Sequence, residues 1–136
     1  MNDTVLLNIS IDGSIDCIWS VLVNKNEFNK CFENIEIECD NWKVGGVIKF
    51  KSEINQNIKI DEAIIRTISE NHLLSYGYKK QGETNVIEVS FTLKNVGVLT
   101  YLTIEGKNFK DSFERSHSEN TWINMMQQIK QYVQKK

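Results

Sequence analysis

Proline is absent from this 136-residue chain, and no Gly- or Ser-rich stretch takes its place, so nothing reads as a linker at which to divide it. A single domain over residues 1–136 is expected, a size that buries roughly two-thirds of the surface its unfolded chain exposes. Charge of one sign is also lacking. Sixteen Lys and Arg against eighteen Asp and Glu leave a formal net charge of −2, and no basic face is concentrated enough to neutralise phosphates, which argues against nucleic acid as a partner. Long apolar runs are missing: none spans a bilayer, so no membrane span is expected. The start, Met1-Asn2-Asp3-Thr4, has an acid where a secretory leader would be basic. Cys17, Cys31 and Cys39 are odd in number and form no metal-type pair, and each reads as a small apolar residue of its element, which makes a reducing cytoplasm the expected location. Two histidines, without HExxH or CxxC, give no metal site. Val44-Gly45-Gly46 lacks the Lys and the following helix of a phosphate loop, so no cofactor is expected either.

What the chain does have is clear periodicity. Over 4–12, Val5, Leu7, Ile9 and Ile11 alternate with polar neighbours, the pattern of a strand with one buried face, and Leu6 alone breaks it. Ser14 can then cap a helix in which Ile15, Ile18, Trp19 and Leu22 form one stripe. Asn24 can cap a second, through roughly Phe32, with Phe28, Cys31 and Phe32 toward the same core. From Ile35 to Glu105 the period stays at two, interrupted at Asp40-Asn41, Gly45-Gly46, Asn55-Gln56-Asn57, Glu70-Asn71, Gln81-Gly82 and Asn95-Val96-Gly97. Six more strands fit, joined by loops short enough for antiparallel pairing. In 85–94, Ile87, Val89, Phe91 and Leu93 share a face; in 98–104 both parities are apolar, which leaves the inward face open. Residues 106–115 carry the chain back across the sheet. Ser116 with Glu119 reads as a capping box opening the last helix, in which Trp122, Met125, Met126, Ile129, Tyr132 and Val133 make one apolar stripe, with Lys135 and Lys136 at the negative end of its dipole.

This order and these residues resemble the helix-grip fold of the START/birch-pollen-allergen superfamily, and within it the domain related to the activator of heat-shock protein 90 ATPase. The likeness rests on "IDGSIDCIWSVL" (11–22), on Trp42-Lys43-Val44-Gly45-Gly46 before a strand, on Leu74, Tyr76 and Tyr78, and on Trp122, Met126, Ile129 and Lys130. It implies an α+β domain: a curved seven-stranded antiparallel sheet wrapped around a long C-terminal helix, two short helices between strands 1 and 2, and an apolar cavity between sheet and helix. Core packing alone would account for the Met-rich stripe, since methionine follows an irregular core as readily as an irregular ligand; in this fold the helix face that packs also lines any cavity.

The candidate ligand-binding residues are therefore Trp122, Met125, Met126 and Ile129 on the helix, Phe91, and tyrosines Tyr76 and Tyr78 at the rim. Glu62 and Arg66 join them because they share parity with Ile58, Ile60, Ile64 and Ile68. Roughly 13 Å apart along an unbroken strand, they cannot neutralise each other, so inside the cavity each would need a ligand or a cross-strand partner; a bulge or an edge would turn both to solvent. The reading that follows is a non-catalytic domain holding a small apolar or amphipathic molecule that is lipid-like, polyketide-like or aromatic. The resemblance supports two alternatives, a surface that binds a chaperone or other protein, and a cyclase- or aromatase-like enzyme whose acid or base would be Glu62, a tyrosine or a histidine.

Overall fold

The structure, a computed structural model, describes residues 3–135; the Met1-Asn2 start and Lys136 lie outside them. Strand β1 (Val5–Ile11) leads into helices α1 (Ile15–Val23) and α2 (Lys25–Cys31), then β2 (Ile35–Cys39), β3 (Val47–Ile54), β4 (Asn57–Ser69), β5 (Leu73–Lys79), β6 (Ile87–Val96), β7 (Leu99–Lys107) and the long α3 (Ser112–Gln134). All seven strands pair antiparallel in one sheet of order β1-β7-β6-β5-β4-β3-β2. The fold is the expected α+β helix grip. Strands β1 and β2 lie at opposite edges, so α1 and α2 must carry the chain across the whole sheet. Among the described residues no helix is long and apolar enough to cross a membrane.

Local chemistry explains the elements. Ser14 Oγ accepts from the Cys17 N–H (3.2 Å) and Asn24 Oδ1 from the Glu27 N–H (3.1 Å), so each short helix starts on a side chain that satisfies an orphan amide. Left-handed backbone falls at Asn55, Gln56, Asn71, Gly45, Gly82 and Gly97, all at or beside expected turns, and at Asn108 in the connection that leads to the last helix. The inward face of β7 is now settled: Thr100, Leu102, Ile104 and Gly106 are buried, while Leu99 and Tyr101 lie on the half-wet side.

Two expectations are corrected. The last helix begins at Ser112 rather than after Ser116, because Asp111 Oδ1 accepts from the Glu114 N–H (2.8 Å) while Glu114 Oε1 accepts from the Lys110 N–H (2.9 Å), a reciprocal cap five residues upstream. Glu119 lies instead near Arg115 (3.7 Å). At 23 residues the helix is about 35 Å long. The second correction concerns β4. Its inward residues are Asp61, Ala63 and Ile65, and the register slips between Ile65 and Thr67, so that Ile68 also turns inward opposite Leu74. Ile58, Ile60 and Ile64 are on the outer face, 54 %, 40 % and 44 % exposed. Glu62 goes out with them, and Arg66 occupies the bulge itself.

The sheet grips α3 through Trp122, Met126, Ile129 and Val133, all buried. At Gly106 the indole of Trp122 rests on bare backbone: a Cβ added there would sit 2.2 Å from Cη2 of Trp122. Gly106→Ala must therefore displace either the indole or β7. It is expected to cost about 1–3 kcal/mol, the usual penalty for overpacking a filled core, read as a lower urea midpoint at unchanged slope.

Candidate functional site

Where the first half of α3 passes over β4, β5 and β6, the interior is not filled. A cavity of about 160 Å³ opens there between helix and sheet. Its walls are Phe28 from α2, Phe50, Tyr76, Tyr78, Ile87 and Val89 from the sheet, and Trp122 and Met125 from the helix; Lys59, Asp61, Lys80, His117, Ser118 and Thr121 supply its polar lining. The aromatic rings form one continuous array, with centroids of Phe50 lying 6.2 Å from Phe28, 5.9 Å from Tyr76 and 5.4 Å from Tyr78. Deeper in, between Leu22, Phe91, Tyr76 and Met125, only about 10 Å³ remains.

Among the nine expected site residues, Tyr76, Tyr78, Trp122 and Met125 converge on the cavity, and Phe91 lies below it at the residual gap. Met126 and Ile129 are buried in the core and line neither space. Glu62 and Arg66 do not point into the cavity. Glu62 is exposed, and Arg66 reaches across the outside of the sheet to Glu88, its Nε and Nη2 each 3.3 Å from a carboxylate oxygen. The physical reason is the β4 register described above. The enzyme reading thereby loses its carboxylate at position 62.

The carboxylate that does line the cavity is Asp61. It is 7 % exposed and is held by three donors: the Tyr78 hydroxyl, the Gln81 backbone N–H (2.8 Å) and, more loosely, the Lys59 ammonium (3.8 Å). Gln81 in turn accepts from the Ile60 N–H (2.6 Å), which ties the β5 end to β4. Burial first, and then the hydrogen bond and charge of Asp61, hold the Tyr78 hydroxyl well above its ordinary pKa; burial does the same for Tyr76. Both phenols therefore remain protonated donors. On the other side of the opening, Glu114 is 2 % exposed, and its carboxylate takes Asn85 Nδ2 (2.9 Å), the Lys110 N–H (2.9 Å) and Lys80 Nζ (3.4 Å). His117 lies parallel to Phe113 one turn earlier, ring centroids 6.2 Å apart. Of the thiols, Cys31 is pushed up to about 12 by burial and by Glu27 beside it, which leaves no thiolate for nucleophilic chemistry at neutral pH. Among the described residues no group of three or more His, Cys, Asp or Glu could hold a metal ion.

Asp61, Lys59, Ser118 and the aromatic wall of Phe28 and Phe50 were not singled out by sequence. For Asp61 the available signal was the alternation Asp61-Ala63-Ile65, masked by the more apolar Ile58-Ile60-Ile64 on the opposite parity.

Removing the Tyr78 hydroxyl takes away one of three donors to a buried carboxylate, so Tyr78→Phe is expected to cost about 1–3 kcal/mol in denaturant melts. Tyr76→Phe should cost nothing. Because both phenols sit above the ordinary value of about 10, the folded state keeps protons that the unfolded chain releases, and stability is full below that pH and falls as pH rises through it. In tyrosinate absorbance, Tyr76 and Tyr78 are expected to ionise only as the protein unfolds, so either Phe variant should lose one tyrosine from the amplitude of that unfolding-coupled step.

Residues 12–134 match the family described as activator of Hsp90 ATPase homolog 1-like protein. Comparison with curated proteins gives no match. Solved structures share the fold: ChR145 from Cytophaga hutchinsonii (22 % identity, covering 97 % of this chain and 94 % of that one, TM-score 0.81), the Aha1 dimer from Colwellia psychrerythraea (18 %, 96 % and 95 %, 0.76) and CalU16 from Micromonospora echinospora (18 %, 96 % and 75 %, 0.77). At these identities the likeness is one of fold. With the family match running over nearly the whole chain, on a helix-grip domain whose cavity is lined from sheet, short helix and α3 alike, this protein belongs to the activator of Hsp90 ATPase homolog 1-like family.

Proposed function

We propose that this domain is a non-catalytic binder of a small apolar or amphipathic molecule, held between α3 and the sheet. The observation that carries the reading is the cavity of about 160 Å³, walled by aromatic and aliphatic side chains and edged by a few fixed polar groups, which is the usual composition of a small-molecule site. A core built for stability alone would close such a space, since unfilled volume forfeits dispersion contacts. The family's description also admits a protein partner such as a chaperone; the cavity reading is preferred because it rests on residues of this chain. Three free cysteines fit a reducing compartment such as the cytoplasm.

Thermal denaturation against a library of small aromatic and amphipathic compounds tests this. A true ligand at a hundredfold excess over its Kd is expected to add about 2.7 kcal/mol of stability. Thr121 is exposed at the cavity's edge, so Thr121→Trp should plant an indole across the opening and abolish the shift without disturbing the core. If no compound stabilises the wild type, or the shift survives the blocked entrance, the proposal is wrong.

A further inference from the structure

Two hydroxyls bordering the cavity have no hydrogen-bond partner among the described residues. Tyr76 is 7 % exposed and Ser118 6 % exposed, and both line the space. Among the described residues neither hydroxyl takes part in a hydrogen bond, whereas no fully enclosed side-chain nitrogen or oxygen lacks one. Both hydroxyls therefore keep a little accessible surface, and the open space that both residues line is the cavity. In an interior otherwise fully paired, hydroxyls in such positions call for a partner that the chain does not supply.

The remaining polar edge limits what that partner can be. Lys59 is matched by Asp61 (3.8 Å) and Lys80 by Glu114 (3.4 Å), so both lysines at the opening are already paired; His117, the other ionisable group of the lining, stacks on Phe113. An anion entering would have to compete with Asp61 or Glu114 for a lysine, and a cation with a lysine for a carboxylate, while losing its hydration. Size is limiting too, because a dry cavity of about 150 Å³ takes a single benzene ring, close to the volume here. The aromatic edges and faces of Phe28, Phe50 and Trp122 suit a ring packed tilted or offset against them.

We infer that the ligand is an uncharged, single-ring aromatic molecule carrying an oxygen, its ring against Phe50 and Trp122 and its oxygen hydrogen-bonded by the hydroxyls of Tyr76 and Ser118. This rests on the cavity reading above and assigns its chemistry.

The test uses three probes by calorimetry or amide-shift NMR: 4-methylphenol, p-xylene, which replaces the hydroxyl by a methyl of similar size, and 4-methylbenzoate. The quantity read is the ratio of affinities for 4-methylphenol and p-xylene, which cancels the packing of the ring. Tyr76→Phe and Ser118→Ala are each expected to lower that ratio by about fivefold to tenfold, the effect of one hydrogen bond, while p-xylene affinity holds; 4-methylbenzoate should bind at least tenfold more weakly than 4-methylphenol. Thermal melts of both variants, expected at or above wild type for Tyr76→Phe, check that they fold. A ratio unchanged in both variants would mean that water satisfies the hydroxyls, and would overturn this assignment while leaving the cavity reading standing. So would equal binding of 4-methylbenzoate, or a library ligand that binds where 4-methylphenol does not. Failure of every probe and every library compound would remove the cavity reading itself, and this inference with it.

Discussion

The seating of Trp122 on Gly106 is the contact that sets the distance between helix and sheet. The indole lies where a side chain of β7 would otherwise stand, with Phe109 tilted against it at 6.0 Å. A second bare seat exists near the other end of α3, where a Cβ on Gly13 would come within 2.4 Å of Cγ1 of Val133. Eleven residues, or about 16 Å of helix, separate the two seats, and Met126 and Ile129 fill the span between them. With both positions pinned at backbone contact, the rod cannot sink further into the sheet. Rigid seating thus keeps the helix from moving in to close the space beside Met125, so that with both seats in place only a larger side chain could fill it.

The opening is held by charge instead of apolar contact. Two buried carboxylates flank it, Asp61 on β4 and Glu114 in the first turn of α3, and burying either without partners would cost several kcal/mol. Each has three donors, and in each case at least one is a backbone N–H. That arrangement fixes backbone as well as side chains: Asp61 holds the chain leaving β5, and Glu114 holds both the start of α3 and the loop before β6 through Asn85 and Lys80.

Much of this was legible in the sequence, for reasons visible in particular residues. Seven strands could be counted because one face of each is dry, and turns located because left-handed backbone selects Asn and Gly, as at Asn71, Gly82 and Gly97. The caps at Ser14 and Asn24 were readable because capping is local. Glu62 and Arg66 were misplaced because parity arguments assume that the more apolar face is the buried one. In β4 the outer face carries Ile58, Ile60 and Ile64, while the inner face tolerates Asp61 through partners twenty residues away at Gln81 and seventeen away at Tyr78. No local pattern encodes those partners, nor the bulge at Arg66. The start of α3 failed differently: Ser116-Glu119 and Asp111-Glu114 are both valid caps, and only the tertiary partners of Glu114 choose between them.

The buried face of α3 explains why a cavity arises where it does. Read from its C-terminal end, that face runs Val133, Ile129, Met126, Trp122, Ser118, Glu114, so its large apolar side chains stop at Trp122 and a serine follows. A leucine or methionine at 118 would project into the space that Phe28, Phe50 and Tyr76 surround from the other side; serine leaves it open and adds a hydroxyl to its wall. The adjacent methionines divide along the same line, Met126 packed in the core and Met125 half-buried at the cavity. Since a helix turns about 100° per residue, one position decides which of the two a side chain serves. The stripe that reads as uniform in sequence is therefore two surfaces, a clamp in its C-terminal half and a chamber wall in its N-terminal half, and Trp122 belongs to both.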